Sequence, residues 1–381
     1  MEFDFSDQQK AMVNTVREFA VKEIIPSAEE LDRTAQFPYD LFKKCGELGL
    51  TAVLFPEEFG GLGLDTMTYV LVVQELARGD MSLAVTYFVS VVNGMFLVEN
   101  AARKFQEKYV PGIASGEAIG AFGLTEPDAG SDSRSMRTRA ILDGDEYIIN
   151  GTKNFITNAG TEITTFANII CIVDQDESGN NLHGIVLVPR DNPGYRVNQG
   201  YKKMGWRSSD TREIYLEDCR VPADHLLVGH ATGLKAAFES LCLGRMGLAA
   251  SSLGLAMAAY DASMEYAKTR IQFGQPISRF QRVQDMLVDM EVRIQAARLL
   301  LYKAAYLRDS GKDFRKAASI AKYYCSETGK ICADYGVQIH GGYGYLDEYA
   351  VSRYYRDIRI ATIGDGTSQI QKMIIAKFIG C

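Results

Sequence analysis

The pattern of apolar residues changes twice along this chain of 381 residues. Up to about residue 117, and again from residue 231, apolar positions recur at helical spacing over long segments. Between these regions, short stretches rich in β-branched and aromatic residues, such as "DEYIINGTKNFITNA" and "HGIVLVPR", are separated by Gly, Asn, Asp and Pro. We therefore predict an α+β multidomain protein. It has an N-terminal helical domain (1–117), a middle antiparallel β barrel or sandwich (118–230) and a C-terminal four-helix bundle (231–381).

The first helix shows both of its ends in the sequence. Ser6 and Gln9 have the spacing of a capping box, and Pro26 is expected to stop the helix. Residues 81–98 carry no charge, but Thr, Ser, Asn and Gly interrupt the run, so we predict a buried core helix rather than a membrane span. Further helices are predicted at about 40–49, 66–78, 234–267, 279–309 and 314–338, and from about 367.

Charge and cysteine usage narrow the class of protein. A net charge of −7 argues against a nucleic-acid partner, which would need a positive cluster. The seven cysteines form no CxxC pair and predict reduced thiols, and the dispersed histidines predict no metal site. The acidic N-terminus lacks a secretory or transit pattern. We expect a bacterial cytoplasmic protein.

Common nucleotide and hydrolase motifs are missing from the sequence. No GxGxxG follows a predicted strand, and no phosphate-binding P-loop is present. A GxSxG elbow is also absent. A Rossmann domain and hydrolase chemistry are therefore not supported.

Four stretches, taken in order, resemble the acyl-CoA dehydrogenase family, and the resemblance covers essentially the whole chain. They are "AFGLTEPDAGSDSRSMRTRA" (121–140), "INGTKNFITNAG" (149–160), "TRIQFGQPISRFQ" (269–281) and "QIHGGYGYLDEYAVSRYYRDIRIATIGDGTSQIQ" (338–371). The resemblance implies bound FAD, an acyl-CoA substrate and electron-transferring flavoprotein as electron acceptor. It also implies a homotetramer, a dimer of dimers, whose neighbouring subunits share FAD.

The same resemblance assigns the cofactor residues. Ser131 lies in a Gly–Ser turn that exposes backbone N–H groups, and it is expected to reach the FAD pyrophosphate or the CoA arm. Arg270 can pair with pyrophosphate through two parallel hydrogen bonds. The residues implied for the flavin are Leu124, Thr125, Phe155 and Thr157, and those implied for the ADP half are Arg270, Gln272, Phe273, Gln281, Gln338, Gly341, Gly342, Thr367 and Gln369.

The reaction implied by the resemblance removes a proton from the carbon α to a thioester and a hydride from the β carbon to flavin N5. Asp365 stands where the family usually has the Glu of Tyr-Glu-Gly-Thr, so it is the predicted base. Burial is expected to raise its pKa and its basicity. Gly364 and Gly366 are assigned to the substrate site, as is Arg245, which matches an arginine beside the thioester arm. Some family members place their Glu immediately before that arginine, where this chain has Gly244.

Two departures from the family pattern predict the acyl group. Glu→Asp withdraws the carboxylate at position 365 by about 1.5 Å, and Tyr→Gly at position 364 removes a ring beside it. Both changes enlarge the pocket near the α carbon. The best expectation is an α-branched or cyclic thioester such as cyclohexane-1-carboxyl-CoA, oxidised to cyclohex-1-ene-1-carboxyl-CoA. The alternatives are a butyryl- or isobutyryl-CoA dehydrogenase, a nitroalkane-oxidase-like flavoenzyme, and an impaired or non-catalytic subunit that binds flavin and CoA.

Overall fold

Helices, a β sheet and further helices follow one another along the chain. In this computed structural model residues 4–229 and 232–381 are described, so the predicted boundary between residues 230 and 231 lies outside the described residues. The helices are α1 (Asp7–Phe19), α2 (Ile25–Thr34), α3 (Tyr39–Glu47), α4 (Thr66–Gly79), α5 (Met81–Asn100), α6 (Arg103–Ala114), α7 (Gly233–Thr269), α8 (Gln281–Asp309), α9 (Arg315–His340), α10 (Ala350–Ile358) and α11 (Ser368–Ile379). The strands are β1 (Ile119–Gly123), β2 (Arg139–Asp143), β3 (Glu146–Thr157), β4 (Thr164–Gln175), β5 (Asn181–Pro189), β6 (Tyr195–Val197), β7 (Thr211–Pro222), β8 (Leu226–Val228), β9 (Ile271–Gln272) and β10 (Gln275–Pro276).

The start of the chain confirms one prediction and corrects another. The capping box is formed, since Gln9 N donates to Ser6 Oγ (3.2 Å) and Ser6 N donates to Gln9 Oε1 (3.0 Å). Pro26 does not stop the helix, because it lies in the first turn of α2, where a missing N–H costs no hydrogen bond. A short π-helical segment, Ala20–Ile24, joins α1 to α2.

The middle region forms one sheet with the strand order β6-β7-β3-β2-β4-β5-β8, and β1 also pairs with β4. Most neighbouring strands are antiparallel, as predicted. Two pairings differ: β1 runs parallel to β4, from Ile119/Thr164 to Gly123/Ile169, and β2 meets β4 through a parallel Arg139/Ile172 pair. Apolar alternation sets which face of a strand is buried but not its direction, so the sequence pattern could not distinguish these pairings.

Helices α5 and α7 form the centre of the helical core. Both are long and apolar enough to cross a membrane by length and composition, yet 83% and 89% of their apolar segments are buried inside the protein. Glycines allow the neighbouring helices to approach α7 closely. A Cβ at Gly254 would lie 2.1 Å from the Gln74 carbonyl oxygen of α4, and one at Gly247 would lie 2.8 Å from the Phe88 ring of α5. The prediction of a buried core helix over 81–98 is confirmed.

Helix α10 links three parts of the molecule, although the sequence pattern shows only a basic stretch there. Asp357 accepts a hydrogen bond from the backbone N–H of Trp206 (2.7 Å), which belongs to the loop between β6 and β7. The neighbouring Arg356 pairs with Asp32 of α2 (Nη1 to Oδ1, 2.9 Å). Through these contacts α10 fixes the β sheet and the N-terminal helices against the C-terminal helices.

The seven cysteines are all free thiols. Cys45, Cys171, Cys219, Cys242, Cys325 and Cys332 are buried, and Cys381 is exposed. Burial raises the pKa of Cys171 and of Cys332 to about 12. The prediction of unpaired thiols is confirmed.

Candidate active site

Asp365 lies on a tight turn just before α11. Its φ of +51° and the φ of +86° at Gly366 place two successive residues in the left-handed region, where Asp and Gly are among the residues best tolerated. Buried side chains bind the carbonyl groups of this turn. Lys322 Nζ donates to Gly366 O (2.7 Å), and Gln371 Nε2 donates to Asp365 O (3.0 Å).

The Asp365 carboxylate points into a space beside α7. Its Oδ2 is buried and has no hydrogen-bond partner among the described residues. A Cβ at Gly244 would lie only 3.3 Å from this oxygen, so the two residues face one another. Burial raises the pKa of the Asp365 carboxyl, whereas the charges of Lys322 and Arg245 lower it. The site therefore contains a desolvated carboxylate with two cations nearby.

The two cations beside Asp365 are themselves buried. Burial lowers the pKa of Lys322 to about 8, partly offset by the charge of Asp365. Arg245 is 7% exposed, and its Nε has no partner among the described residues. Its Nη1 contacts Cys242 Sγ at 3.5 Å, one turn earlier on α7. Motif comparison selected Arg245 but missed Lys322, whose burial has no signal in a helical sequence pattern.

The walls of the space differ on its two sides. On one side, the described atom nearest to an added Cβ at Gly364 would be Ile360 O at 3.7 Å, so room for a Cβ remains there. On the other, one turn beyond Gly244, Gly247 packs directly against the Tyr69 hydroxyl, which would lie 2.6 Å from an added Cβ. The pocket is therefore open near Gly364 and closed at Gly247.

A cleft of about 480 Å³ lies near the start of α7. It is bounded by the end of α5, the first turns of α7 and the connection from α8 to α9. Ser240 and Leu243 of its lining lie within two residues of Cys242, which contacts Arg245, so the cleft begins close to Arg245. The cationic residues of the lining are Arg308, Lys312 and Arg315, and the acidic ones are Glu99, Glu239 and Asp313.

Four residues predicted to contact a flavin lie together, two just after β1 and two near the end of β3 at Thr157. Asn154 N donates to Thr125 O (2.8 Å) and Lys153 Nζ donates to Leu124 O (3.2 Å), so residues 124–125 run along β3 next to Phe155 and Thr157. Phe155 is 63% exposed and contacts Tyr201 with ring centroids 5.4 Å apart. An exposed aromatic ring beside half-buried threonines fits a flat conjugated ring.

A buried ion pair supports this flavin shelf, defined as residues 124–125 together with Phe155 and Thr157. Lys153 Nζ lies 2.7 Å from Glu126 Oε1, and Lys153 is fully buried. Glu126 in turn accepts backbone hydrogen bonds from Arg137 (2.6 Å) and Thr138 (3.0 Å). The sequence motifs contain both charged residues, but sequence reasoning did not assign them. Ser131 is exposed in the loop between Glu126 and β2.

The residues predicted for the ADP half of FAD fall into two places. The α7–α8 connection and the end of α9 come together, since the Arg270 guanidinium lies 5.6 Å from the Tyr343 ring centroid. The residues of this group are exposed: Arg270, Gln272, Phe273, Gln281, Gln338, Gly341 and Gly342. Phe273 is 94% exposed. Thr367 and Gln369 lie instead at the start of α11, beside Asp365, with Thr367 capping the helix by accepting from Ile370 N (3.2 Å).

Comparison with known families identifies this architecture. The family models for the N-terminal, middle and C-terminal domains of acyl-CoA dehydrogenase match residues 6–117, 121–219 and 231–380. The chain belongs to the acyl-CoA dehydrogenase family and has its fold. It is an oxidoreductase that acts on CH–CH bonds, and its cofactor is FAD.

The relatives extend over the full chain. The probable acyl-CoA dehydrogenase YngJ of Bacillus subtilis is 44% identical over 378 residues, 99% of both chains. Acryloyl-CoA reductase (NADH) of Anaerotignum propionicum is 39% identical over 381 residues, covering 99% of this chain and 95% of that protein. The structure of butyryl-CoA dehydrogenase from Megasphaera elsdenii matches with a TM-score of 0.95 and 35% identity over 100% of both chains.

Proposed function

We propose that Asp365 is the base that removes the α proton of a saturated acyl-CoA, and that the acyl group is α-branched or alicyclic. The best candidate substrate is cyclohexane-1-carboxyl-CoA, which would give cyclohex-1-ene-1-carboxyl-CoA. One observation carries the proposal: the buried Oδ2 of Asp365 has no hydrogen-bond partner among the described residues and faces Gly244, and the neighbouring Gly364 carries no side chain. A short base and an absent ring both leave room for a tertiary α carbon.

The chain's own groups suit this chemistry. The α C–H bond breaks and its proton moves to the Asp365 carboxylate, which desolvation makes more basic. The backbone N–H of Asp365 donates no backbone hydrogen bond within the described residues, so it is available to the thioester carbonyl as that oxygen gains charge. Bound FAD supplies the acceptor for the hydride that leaves the β carbon. Leu124, Thr125, Phe155 and Thr157 would hold the flavin ring.

The cleft beside Arg245 is proposed to take the CoA arm. Its cations are Lys312, together with Arg308 and Arg315, which pair with Glu99 (3.1 Å) and Asp313 (2.7 Å). We propose that these two arginines exchange their acidic partners for the phosphates of CoA, since guanidinium groups bind phosphate through paired hydrogen bonds. Arg245 relates the cleft to the base, since its charge acts on Asp365 and its Nη1 contacts Cys242 Sγ at 3.5 Å. Ser131 is proposed as a further contact to the CoA arm or the FAD pyrophosphate.

Reduction of an enoyl thioester is a second candidate, favoured by the name of one relative, acryloyl-CoA reductase (NADH). In that direction a protonated Asp365 would return a proton to the α carbon, and its raised pKa suits either role. The acceptor decides the direction in the cell. We propose electron-transferring flavoprotein, because a similar chain (38% identity, TM-score 0.95) was solved in work on the electron transferring flavoprotein of Acidaminococcus fermentans.

We further propose a homotetramer in the bacterial cytoplasm. Apolar residues at helical spacing are exposed along α8: Val288, Val292, Leu299 and Tyr306. An exposed apolar stripe of this kind fits contact with another copy of the chain. A partner copy would also bring the exposed residues around Arg270 to the FAD. The buried free thiols fit a reducing compartment.

Anaerobic titration of the yellow protein with cyclohexanecarboxyl-CoA, isobutyryl-CoA and butyryl-CoA, following loss of the visible flavin band, tests the proposal. Bleaching by the cyclic thioester in preference to butyryl-CoA supports it. A preference for butyryl-CoA would retain the reaction and reject the cyclic substrate. Absence of bleaching by every thioester, together with turnover of nitroethane in air, would favour a nitroalkane oxidase. Binding of FAD and thioesters without any turnover would indicate a non-catalytic subunit.

A further inference from the structure

We propose that Lys322 and Gln371 are positioning residues for the base: together they fix the left-handed turn that carries Asp365, and Lys322 brings a positive charge to that turn. We call this pair the turn clamp. The inference rests on the assignment of Asp365 as the base in the proposed function. It concerns residues that touch neither substrate nor flavin in that proposal.

The geometry of the clamp is that of two buried donors on one short turn. Lys322 comes from α9 and Gln371 from α11, and both are fully buried. Lys322 Nζ donates to Gly366 O (2.7 Å), while Gln371 Nε2 donates to Asp365 O (3.0 Å) and to Gly366 O (3.1 Å). Both carbonyl groups of the left-handed pair are thus bound by side chains from different helices.

The position of the Asp365 carboxylate depends mainly on the backbone conformation of this turn. Asp365 Oδ2 has no hydrogen-bond partner among the described residues, so no side chain orients it. Asp also has only one methylene between backbone and carboxylate, so a shift of the backbone moves the carboxylate almost equally. Misplacement of a reacting group by about 1 Å can cost roughly 10²-fold in rate. Loosening the turn should therefore slow proton transfer without weakening thioester binding.

Charge adds a second, separable effect. Within the described part of the chain, the charged and titratable groups that face Asp365 are Lys322 from α9, Arg245 from α7 and Tyr69 from α4. Lys322 is the larger of the two cationic influences that lower the pKa of the Asp365 carboxyl, and Glu327 is a further neighbour of Lys322. Gln371 carries no charge. Removing Lys322 should hence move the pH dependence of the base, whereas removing Gln371 should not.

The test uses the FAD-loaded full chain and anaerobic stopped-flow reduction by the best thioester from pH 5.5 to 9. The variants are K322M, K322R and Q371M, with D365N to test the base and K303M, an exposed lysine of α8, as control. We expect K322M to reduce its flavin about tenfold or more slowly, with the acid limb at higher pH. The limb should move in this direction because the loss of a nearby cation raises the pKa of the Asp365 carboxyl, and only the ionised carboxylate can act as the base. Q371M should reduce its flavin more slowly, but the acid limb of its pH profile should stay at the wild-type pH. K322R keeps the positive charge, so its acid limb should also stay in place.

The outcomes separate the clamp from the base. Loss of reduction in D365N together with wild-type rate and pH profile in K322M and Q371M would overturn the clamp alone. Undiminished reduction in D365N would overturn the base assignment, and the clamp with it. FAD content, melting temperature and affinity for a non-reactive thioether of CoA verify that each variant is folded. If K322M fails to bind FAD, Q371M still carries the test, and a wild-type limiting rate in Q371M would overturn the proposal.

Discussion

Gly244 on α7 and Asp365 on the turn before α11 face each other across the pocket, and a Cβ at Gly244 would lie 3.3 Å from Asp365 Oδ2. Two positions that are 121 residues apart in sequence therefore border the same space. A side chain at either position can reach the same region of a bound thioester. The pocket thus has one occupied and one empty position for a carboxylate.

Replacing Asp365 by Asn should abolish most of the flavin reduction. The amide has nearly the same shape but cannot accept the α proton, and general-base catalysis contributes about 10²–10⁴-fold. Anaerobic stopped-flow reduction measures the loss. The matched variant D365E extends the carboxylate by one methylene and should shift preference toward butyryl-CoA. Equal rates for D365N and the natural chain would remove Asp365 from the mechanism.

A glutamate at Gly244 should partly rescue the loss. In the double variant G244E/D365N the new carboxylate projects into the space next to residue 365, without a second charge to repel it. We expect at least about tenfold faster flavin reduction than in D365N, a small part of the range for a general base. The control G244Q/D365N has the same shape without the base. Equal rates of flavin reduction in both double variants would show that a carboxylate at position 244 cannot reach the α carbon of the thioester.

A tyrosine at Gly364 should change the choice of substrate. Among the described residues, the atom nearest to an added Cβ would be Ile360 O at 3.7 Å, so position 364 can carry a side chain without a clash at Cβ. We expect kcat/KM for cyclohexanecarboxyl-CoA to fall about tenfold or more relative to butyryl-CoA, since small steric differences in a pocket discriminate by about 10–200-fold. The variant G364A serves as the small control. A proportional fall for both thioesters would mean that residue 364 does not set acyl shape.

Asp357 should make stability depend on pH. Burial raises the pKa of this carboxyl to about 7, with a smaller contribution from the charge of Asp80. Because the folded-state pKa lies above the unfolded one, the folded protein holds the proton longer, and stability falls as pH rises toward 7. The variant D357N keeps an oxygen for Trp206 N and should lack this slope. Between pH 5 and 8, the difference in the free energy of unfolding between D357N and the natural chain should change by about 2 kcal/mol.

Urea unfolding of the FAD-loaded chain at the two pH values measures this difference. D347N, which alters an exposed aspartate near the same helix, is the control and should follow the natural chain. Parallel curves for D357N and the natural chain would mean that Asp357 is ionised in the folded protein throughout this range.

Loss of the Lys153 charge should weaken FAD binding. K153M leaves Glu126 buried without its cation and removes the hydrogen bond to Leu124 O, so the flavin shelf loses its support. Breaking a buried ion pair costs about 3–5 kcal/mol. We expect lower FAD content after purification and a lower melting temperature. The exposed Lys202 in the same domain gives the control K202M, and equal FAD retention in both would contradict a supporting role.

Sequence periodicity and motifs predicted the order of the domains, most helices and the residues around Asp365, because these signals are local. Contacts between distant elements were not predictable in the same way. Lys322 and Lys153 look like ordinary charged residues in their segments, and only the folded chain shows that both are fully buried. Pro26 predicts a helix stop in the sequence, but the π-helical residues before it place it in the first turn of α2, where proline is tolerated.

Motif comparison does not identify every residue that supports a site. It finds residues expected to touch a cofactor or substrate, such as Thr157 and Arg245. It does not find residues that act through the backbone of others, such as Gln371, whose role depends on a turn with two positive φ angles. The parallel pairing of β1 with β4 was missed for a related reason, because strand direction is set by connections and not by alternation.

The distribution of buried and exposed thiols allows unfolding of the chain to be followed by cysteine labelling. Six cysteines are buried and Cys381 is exposed, so a thiol reagent added to the native protein should modify one site per chain. Cys45 and Cys325 lie in the helical core, and Cys171 and Cys219 lie in the core of the sheet. The thiols of each core become reactive when that core unfolds. Mass spectrometry of the labelled chain would then show which of the two opens first. The same single exposed thiol gives a place for a fluorophore without mutation.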